Sequence, residues 1–312
     1  MFSHLHASVL YGLGGILGVL VVASTTVIML KRRHPEKSYV ELSQRINSWW
    51  IMVGIFSAAI LLSRTVSIAF FAFVSFLALK EYFSLIPTRR ADRRVLFWAY
   101  LAIPFQYYWV HLEWYGMFII FIPVYLFLLL PMRMVIIGET KEFLRAAGML
   151  HWGLMTMVFS LSHAAFFLAL SEDKNPAGGG AGLVLFLIFL TQFNDVAQYI
   201  WGKLTGRHKI IPLVSPNKTW EGFLGGLATT TALAALLAPH LTPLTVPESL
   251  LAGLLIGCSG FIGDVTISAL KRDIGVKDSG SLLPGHGGIL DRIDSLTFTA
   301  PLLFHFIYYL HY

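Results

Sequence analysis

Charge is the scarcest commodity in this sequence. Only 13% of the 312 residues are Asp, Glu, Lys or Arg, while 56% are hydrophobic and the mean hydropathy is +0.69. About a quarter of an ordinary soluble domain is charged, so that class is excluded. Cysteine is almost absent as well. The one example, Cys258, stands in a hydrophobic run, which rules out an intrachain disulfide and a cysteine zinc site. There is no recognisable nucleic-acid module. The net charge of +6 comes from short loops between apolar runs, where topology and anionic headgroups account for it, so no nucleic-acid partner is expected. The first apolar run, 7–30, is expected to be an anchor and not a cleavable signal, since basic residues follow it instead of preceding it. There is neither a clear internal repeat nor a linker between soluble domains.

What is present is a series of apolar runs. They predict an all-α, polytopic integral membrane protein of about ten spans: 7–30, 49–62, 66–79, 95–110, 115–130, 151–170, 183–201, 223–238, 250–270 and 296–310. Residues 38–48 read as a polar connector and 49–79 as two short runs that are either a hairpin or re-entrant. Residues 132–150 read as a partly helical cytoplasmic segment, and 171–182, with Gly178, Gly179 and Gly180, as a flexible external loop. Alternating the sides puts 21 of the 23 Lys and Arg residues on one face, with only Arg64 and Lys174 opposite. By the positive-inside rule that face is cytoplasmic.

Charge returns in one stretch, 263–295. Asp264 continues a hydrophobic run without a break, and an ionisable group inside a membrane helix costs about 2.5 to 3.5 kcal/mol by insertion scales. At helical spacing Asp264, Ser268, Lys271 and Arg272 share a face. Beyond them lie Lys277-Asp278, a glycine-rich loop, and Asp291-Arg292-Ile293-Asp294. Carboxylates alone suggest a cation and cations alone suggest phosphate. Interleaved, they suggest a magnesium-bound polyphosphate, with hard oxygen ligands for Mg²⁺ and Lys or Arg on the remaining phosphate oxygens. A second polar group, Gln192, Asn194, Asp195 and Gln198, sits at the end of span 183–201. It precedes a loop in which Lys218 and the start of the next helix offer an anion site.

These residues carry a resemblance. Ser268-x-x-Lys271-Arg272, Lys277-Asp278-x-Gly280 and Pro284-Gly285-His286-Gly287-Gly288-x-x-Asp291-Arg292-x-Asp294 resemble, without a break, the signature of the CDP-diacylglycerol synthases, the phosphatidate cytidylyltransferases. The Asn194-Asp195 pair and Ser215-Pro216-Asn217-Lys218-Thr219-Trp220-Glu221-Gly222 resemble the same family, so the likeness covers 194–295. One departure is visible. The family usually has Asn-Asp-Thr followed by small residues, whereas here Val196 and Gln198 stand in those places.

The resemblance implies a scaffold of membrane helices over 1–182 and a catalytic membrane region over 183–312. The implied substrates are CTP and phosphatidic acid, with Mg²⁺ as cofactor and a second cation left open. It places the protein in a bacterial inner membrane with its active site facing the cytoplasm, and leaves a homodimer open. Asp264 and Asp291 are the expected metal ligands; Lys218, Lys271, Arg272 and Asp294 are the expected catalytic set. Asn194, Asp195, Ser215, Lys277, Asp278, His286, Gly287, Gly288 and Arg292 are expected at the substrates. A plainer reading makes Asp264, Asp291 and Asp294 structural ion-pair partners of Lys271, Arg272 and Arg292. The rival functions are transfer to another lipid phosphate, a transporter, and an inactive paralogue.

Overall fold

A computed structural model describes residues 5–36, 38–89, 93–280 and 287–312. The chain is a helix bundle, because a backbone crossing lipid must satisfy its own hydrogen bonds and a helix does so within one segment. Among the described residues eight helices are long and apolar enough to cross a bilayer: α1 (Ala7–Arg33), α2 (Val40–Leu62), α3 (Arg64–Leu85), α5 (Tyr115–Ile137), α6 (Phe143–Ala169), α7 (Gly179–Thr205), α8 (Trp220–Leu241) and α9 (Val246–Asp273). The two remaining expected spans are helical too, as α4 (Arg93–His111, 19 residues) and α11 (Leu296–His311, 16 residues). A short helix, α10 (Leu290–Ile293), precedes α11. The all-α class therefore holds, apart from one antiparallel hairpin between α7 and α8. Its strands, β1 (Lys209–Ile211) and β2 (Ser215–Thr219), pair Lys209 with Thr219 and Ile211 with Ser215.

Several boundaries differ from the sequence reading. The expected polar connector 38–48 is mostly the first turns of α2, and the two short runs of 49–79 belong to helices of 23 and 22 residues, α2 and α3, each long enough to cross. They meet at Ser63, whose side chain accepts the Val66 N–H at 3.2 Å and caps α3. The segment 132–150 is the end of α5 and the start of α6, separated by a turn at Gly138, whose φ of +82° closes α5 in the left-handed region that suits glycine. Inside α5 the backbone widens to a π-turn over Phe121–Leu126, around Pro123, which has no N–H to give to the regular ladder.

The glycine run is the clearest correction. Gly178, Gly179 and Gly180 are buried, and α7 begins among them. A Cβ would lie 2.8 Å from the Leu241 carbonyl at Gly178 and 2.5 Å from that of Phe167 at Gly180. Asn175 locks the corner by donating to the Gly179 and Leu241 carbonyls at 2.8 and 2.9 Å. Small residues here serve close backbone approach between helices, the usual role of glycine in membrane bundles, and not loop freedom.

The same device positions the polar end of the bundle. α7 and α8 pack closely because Gly222 and Gly226 leave room for Gln198, and Gly257 and Gly260 of α9 lie against Asn194. At the opposite end Arg64 pairs with Glu113 at 2.5 Å, and His311 meets Glu248 at 3.2 Å.

Candidate active site

Three segments converge where α7, α8 and α9 end. Thr219 sets the first: its side chain accepts the Gly222 N–H at 3.2 Å and caps α8, leaving β2 to run back along the helix ends. Glu221 pins the other side of this turn, accepting from the Arg207 and His208 N–H groups at 3.0 and 3.2 Å and meeting His208 Nδ1 at 2.5 Å. Lys218 is thereby held against α9, with Nζ 2.5 Å from Asp264 Oδ2 and 3.4 Å from Gln198 Oε1. Ser268, one turn along α9, donates to Asp264 Oδ1 at 3.2 Å.

From α7, Asp195 faces the same space, and both its oxygens accept the Ser295 hydroxyl, at 3.1 and 2.9 Å. Asp294 lies beside it and accepts the Ser295 N–H at 2.8 Å. Burial, and then the charges of Asp264 and Asp195, push Asp294 well above the usual carboxylate range, against the pull of the Ser295 N–H and Arg292. Lys218 responds in the opposite sense. Burial lowers it, but Asp264, Asp195 and Asp294 outweigh that and hold its ammonium above the ordinary lysine value. Three carboxylates thus feel one another around one lysine. Among the described residues no three His, Cys, Asp or Glu side chains close tightly enough to hold a metal unaided.

A second group adjoins the first through α9. Lys271 donates to Asp291 Oδ1 at 2.6 Å. Asp291 Oδ2 accepts from Ser279 N–H (3.0 Å), Ser279 Oγ (2.8 Å) and Gly288 N–H (3.0 Å). Although burial raises this carboxyl, the Lys271 hydrogen bond, the Gly288 N–H, the lysine charge and the Ser279 N–H together hold it below its ordinary value. Gly287, at φ +84°, turns the chain so closely over Asp291 that a Cβ would lie 2.5 Å from Oδ2.

The other expected residues distribute unevenly. Asn194 is fully buried and ties helices together: its Oδ1 accepts Thr230 Oγ1 at 3.1 Å and its Nδ2 faces the Gly257 carbonyl at 3.5 Å. Ser215 opens β2 opposite Ile211. Arg272 is exposed and reaches the Val214 carbonyl at 3.3 Å, bracing the hairpin. Lys277 and Asp278 are exposed, whereas Arg292 is half-buried and its carbonyl accepts Gln192 Nε2 at 3.1 Å. Its Nε is buried with no partner among the described residues. His286, with Pro284 and Gly285, lies outside the described residues.

Three residues at the site were not singled out. Ser279 occupies the unspecified place in Lys277-Asp278-x-Gly280, yet it supplies two of the donors to Asp291. Ser295 follows the signature directly, a position that signals nothing by residue type alone. Glu81, at the inner end of α3, accepts the Ile289 and Leu290 N–H groups at 2.9 and 3.0 Å. A lone glutamate at the end of an apolar run carries no sequence sign of that partner.

A bundle of apolar helices with carboxylates and a lysine gathered at one end is the class that the structure defines. Comparison with known proteins gives the class a family. A model of the cytidylyltransferase family matches residues 43–310, and the chain belongs to that family. It is an integral membrane nucleotidyltransferase. It is 48% identical over 300 residues to YnbB, an uncharacterised protein of Escherichia coli K12, covering 96% of this chain and 98% of that one. The phosphatidate cytidylyltransferase of Staphylococcus saprophyticus is 39% identical over 159 residues, and that of Staphylococcus aureus strain COL 38% over 155. Each of these two matches covers 48% of this chain and 58% of the staphylococcal protein.

Proposed function

We propose that the protein transfers the cytidylyl group of CTP to phosphatidic acid, releasing pyrophosphate and forming CDP-diacylglycerol at the cytoplasmic face of a bacterial inner membrane. One observation carries the reading: Lys218 is seated on Asp264, with Asp195 and Asp294 beside it, where the membrane helices end. A lipid headgroup reaches that level while its acyl chains stay in the bilayer. The relatives that bear the name phosphatidate cytidylyltransferase support the choice of lipid.

The donor set fits Mg²⁺. Its oxygens are hard ligands, and three carboxylates, Asp195, Asp264 and Asp294, gather around the Lys218 ammonium. Asp264, with Asp195 and Asp294 around it, would hold the ion, while the other expected ligand, Asp291, stands in the adjoining group with Lys271. Asp291 Oδ2 is filled by three protein donors, whereas Oδ1 is held by Lys271. Mg²⁺ takes few protein ligands and completes its shell with water and substrate phosphates, so a fully closed carboxylate cage is not needed. When bound, it neutralises charge that develops on the phosphates during transfer.

The chain's own residues do the rest by placement. Lys218 and Lys271 turn from their carboxylates to nucleotide phosphates, and Arg272 takes oxygens at the outer edge. An oxygen of the lipid phosphate attacks the α-phosphorus of CTP, the bond to the bridging β-phosphate oxygen breaks, and pyrophosphate leaves with that electron pair. Since the nucleophile is already an anion, no general base is required, and orientation and charge neutralisation supply the catalysis. The test is purified protein in detergent with CTP, phosphatidic acid and Mg²⁺. Pyrophosphate release that EDTA abolishes supports the reading, and no release under any of these conditions overturns it.

A further inference from the structure

Glu81 belongs to α3, far in sequence from every motif, yet its carboxylate lies against backbone amides of the signature segment. One oxygen accepts the Ile289 N–H at 2.9 Å and the other the Leu290 N–H at 3.0 Å. Two glycines of the signature make room for it. A Cβ on Gly288 would overlap Glu81 Oε1, and one on Gly280 would lie 3.1 Å from Oε2. The carboxylate therefore sits against Gly280 and Gly288 and holds the start of α10, one residue before Asp291.

We infer that Glu81 is a positioning residue of the active site: it fixes the start of α10 so that Asp291 stays where Lys271, Ser279 and Gly288 N–H reach it, and Lys271 is thereby held in place. This rests on the cytidylyltransferase reading of the site, since Lys271, held by Asp291, is the group that would meet the nucleotide phosphates. The clamp explains why Gly288 carries no side chain where it touches Glu81. It also gives the N-terminal helices a part in the chemistry beyond scaffolding, since α3 carries the group that orients a loop on the other half of the chain. A carboxylate suits the task better than an amide. Both partners are donors, and an amide must turn its own N–H₂ toward one of them, leaving two buried donors face to face.

The experiment combines three variants, Glu81→Gln, Glu81→Ala and Gly288→Ala, with the double variant Glu81→Ala/Gly288→Ala. Each is measured for kcat, KM and thermal stability in detergent, and by deuterium exchange at Ile289 and Leu290. Glu81→Gln should lower kcat by about ten- to a hundred-fold with KM for the lipid and the melting temperature little changed. Glu81→Ala should speed exchange at the two amides. Gly288→Ala should be more damaging when Glu81 is present than when it is alanine, because the overlap is with the carboxylate itself. The inference falls if Glu81→Gln keeps kcat within about two-fold, or if the two alanine effects simply add. Exchange needs no turnover. A wild type silent toward CTP and phosphatidic acid would sink the functional reading, and unchanged exchange in Glu81→Ala would then sink the clamp.

Discussion

Replacing Asp291 with asparagine removes one charge and almost no volume, and the surroundings of that carboxylate set how much is lost. Its side chain is 7% exposed and its partner Lys271 12%, so solvent screens the pair little. Asparagine keeps one oxygen, which would stay with Ser279 and Gly288, and turns an N–H₂ toward the lysine ammonium. Removing one member of a buried pair costs about 3 to 5 kcal/mol. Lys271 retains a path to solvent, so the lower figure applies, and about 3 kcal/mol is roughly a hundred-fold in an equilibrium. That shift falls on the closed state of the loop. Asp291→Asn should therefore lose about a hundred-fold in pyrophosphate release and exchange faster at the Ser279 and Gly288 amides, while still inserting and purifying. Activity within about three-fold of wild type and unchanged exchange would refute the reasoning. The pH dependence has a fixed sign. The folded carboxyl lies below the unfolded aspartate value of about 3.9, so the anchor is complete above that value and is lost as pH falls through the folded one. Slow exchange at these amides should persist from neutrality down to about pH 4.

Asp264→Asn should nearly abolish turnover at any Mg²⁺ concentration, since it strips Lys218 of its carboxylate partner and the expected cation of a ligand; activity within a few-fold would remove Asp264 from the site. Gln198 is 4% exposed, its Oε1 lies near Lys218, and its Nε2 has no partner among the described residues, whereas Val196 is 44% exposed. Gln198→Ala should therefore change the nucleotide or lipid-phosphate preference and Val196→Thr should not, as scored over a panel of both substrates. The opposite pattern would place the departure from the family outside the polar cavity. For sidedness, Leu213→Cys and Lys174→Cys in a Cys258→Ala background should label from the cytoplasm and from outside respectively. Both reacting from one side would break the alternation of spans.

The apolar runs made the helices legible because hydrophobic length is itself what the bilayer selects, and among the described residues eight of the ten expected spans are long and apolar enough to cross. The charged stretch was legible because ionisable groups there need partners. Which partner each would choose was not. Lys218 was read as a phosphate ligand and sits on Asp264, and Asp291, read as a metal ligand, also gathers Ser279 and Gly288 into a loop anchor. The run Gly178 to Gly180 carries the same letters as a flexible loop. Only the Leu241 and Phe167 carbonyls facing it reveal that it packs. Glu81 was invisible for a related reason, since its two partners are backbone amides more than two hundred residues away.

The central claim is that the α-phosphate of CTP moves to a lipid phosphate, and isotope position tests it most directly. Purified protein is given phosphatidic acid and Mg²⁺ with CTP labelled either at the α- or at the γ-phosphate. The account predicts α-label in the organic phase as CDP-diacylglycerol and γ-label in the aqueous phase as pyrophosphate. Appearance of γ-label in the lipid, or α-label that stays wholly aqueous while CTP is consumed, would contradict it.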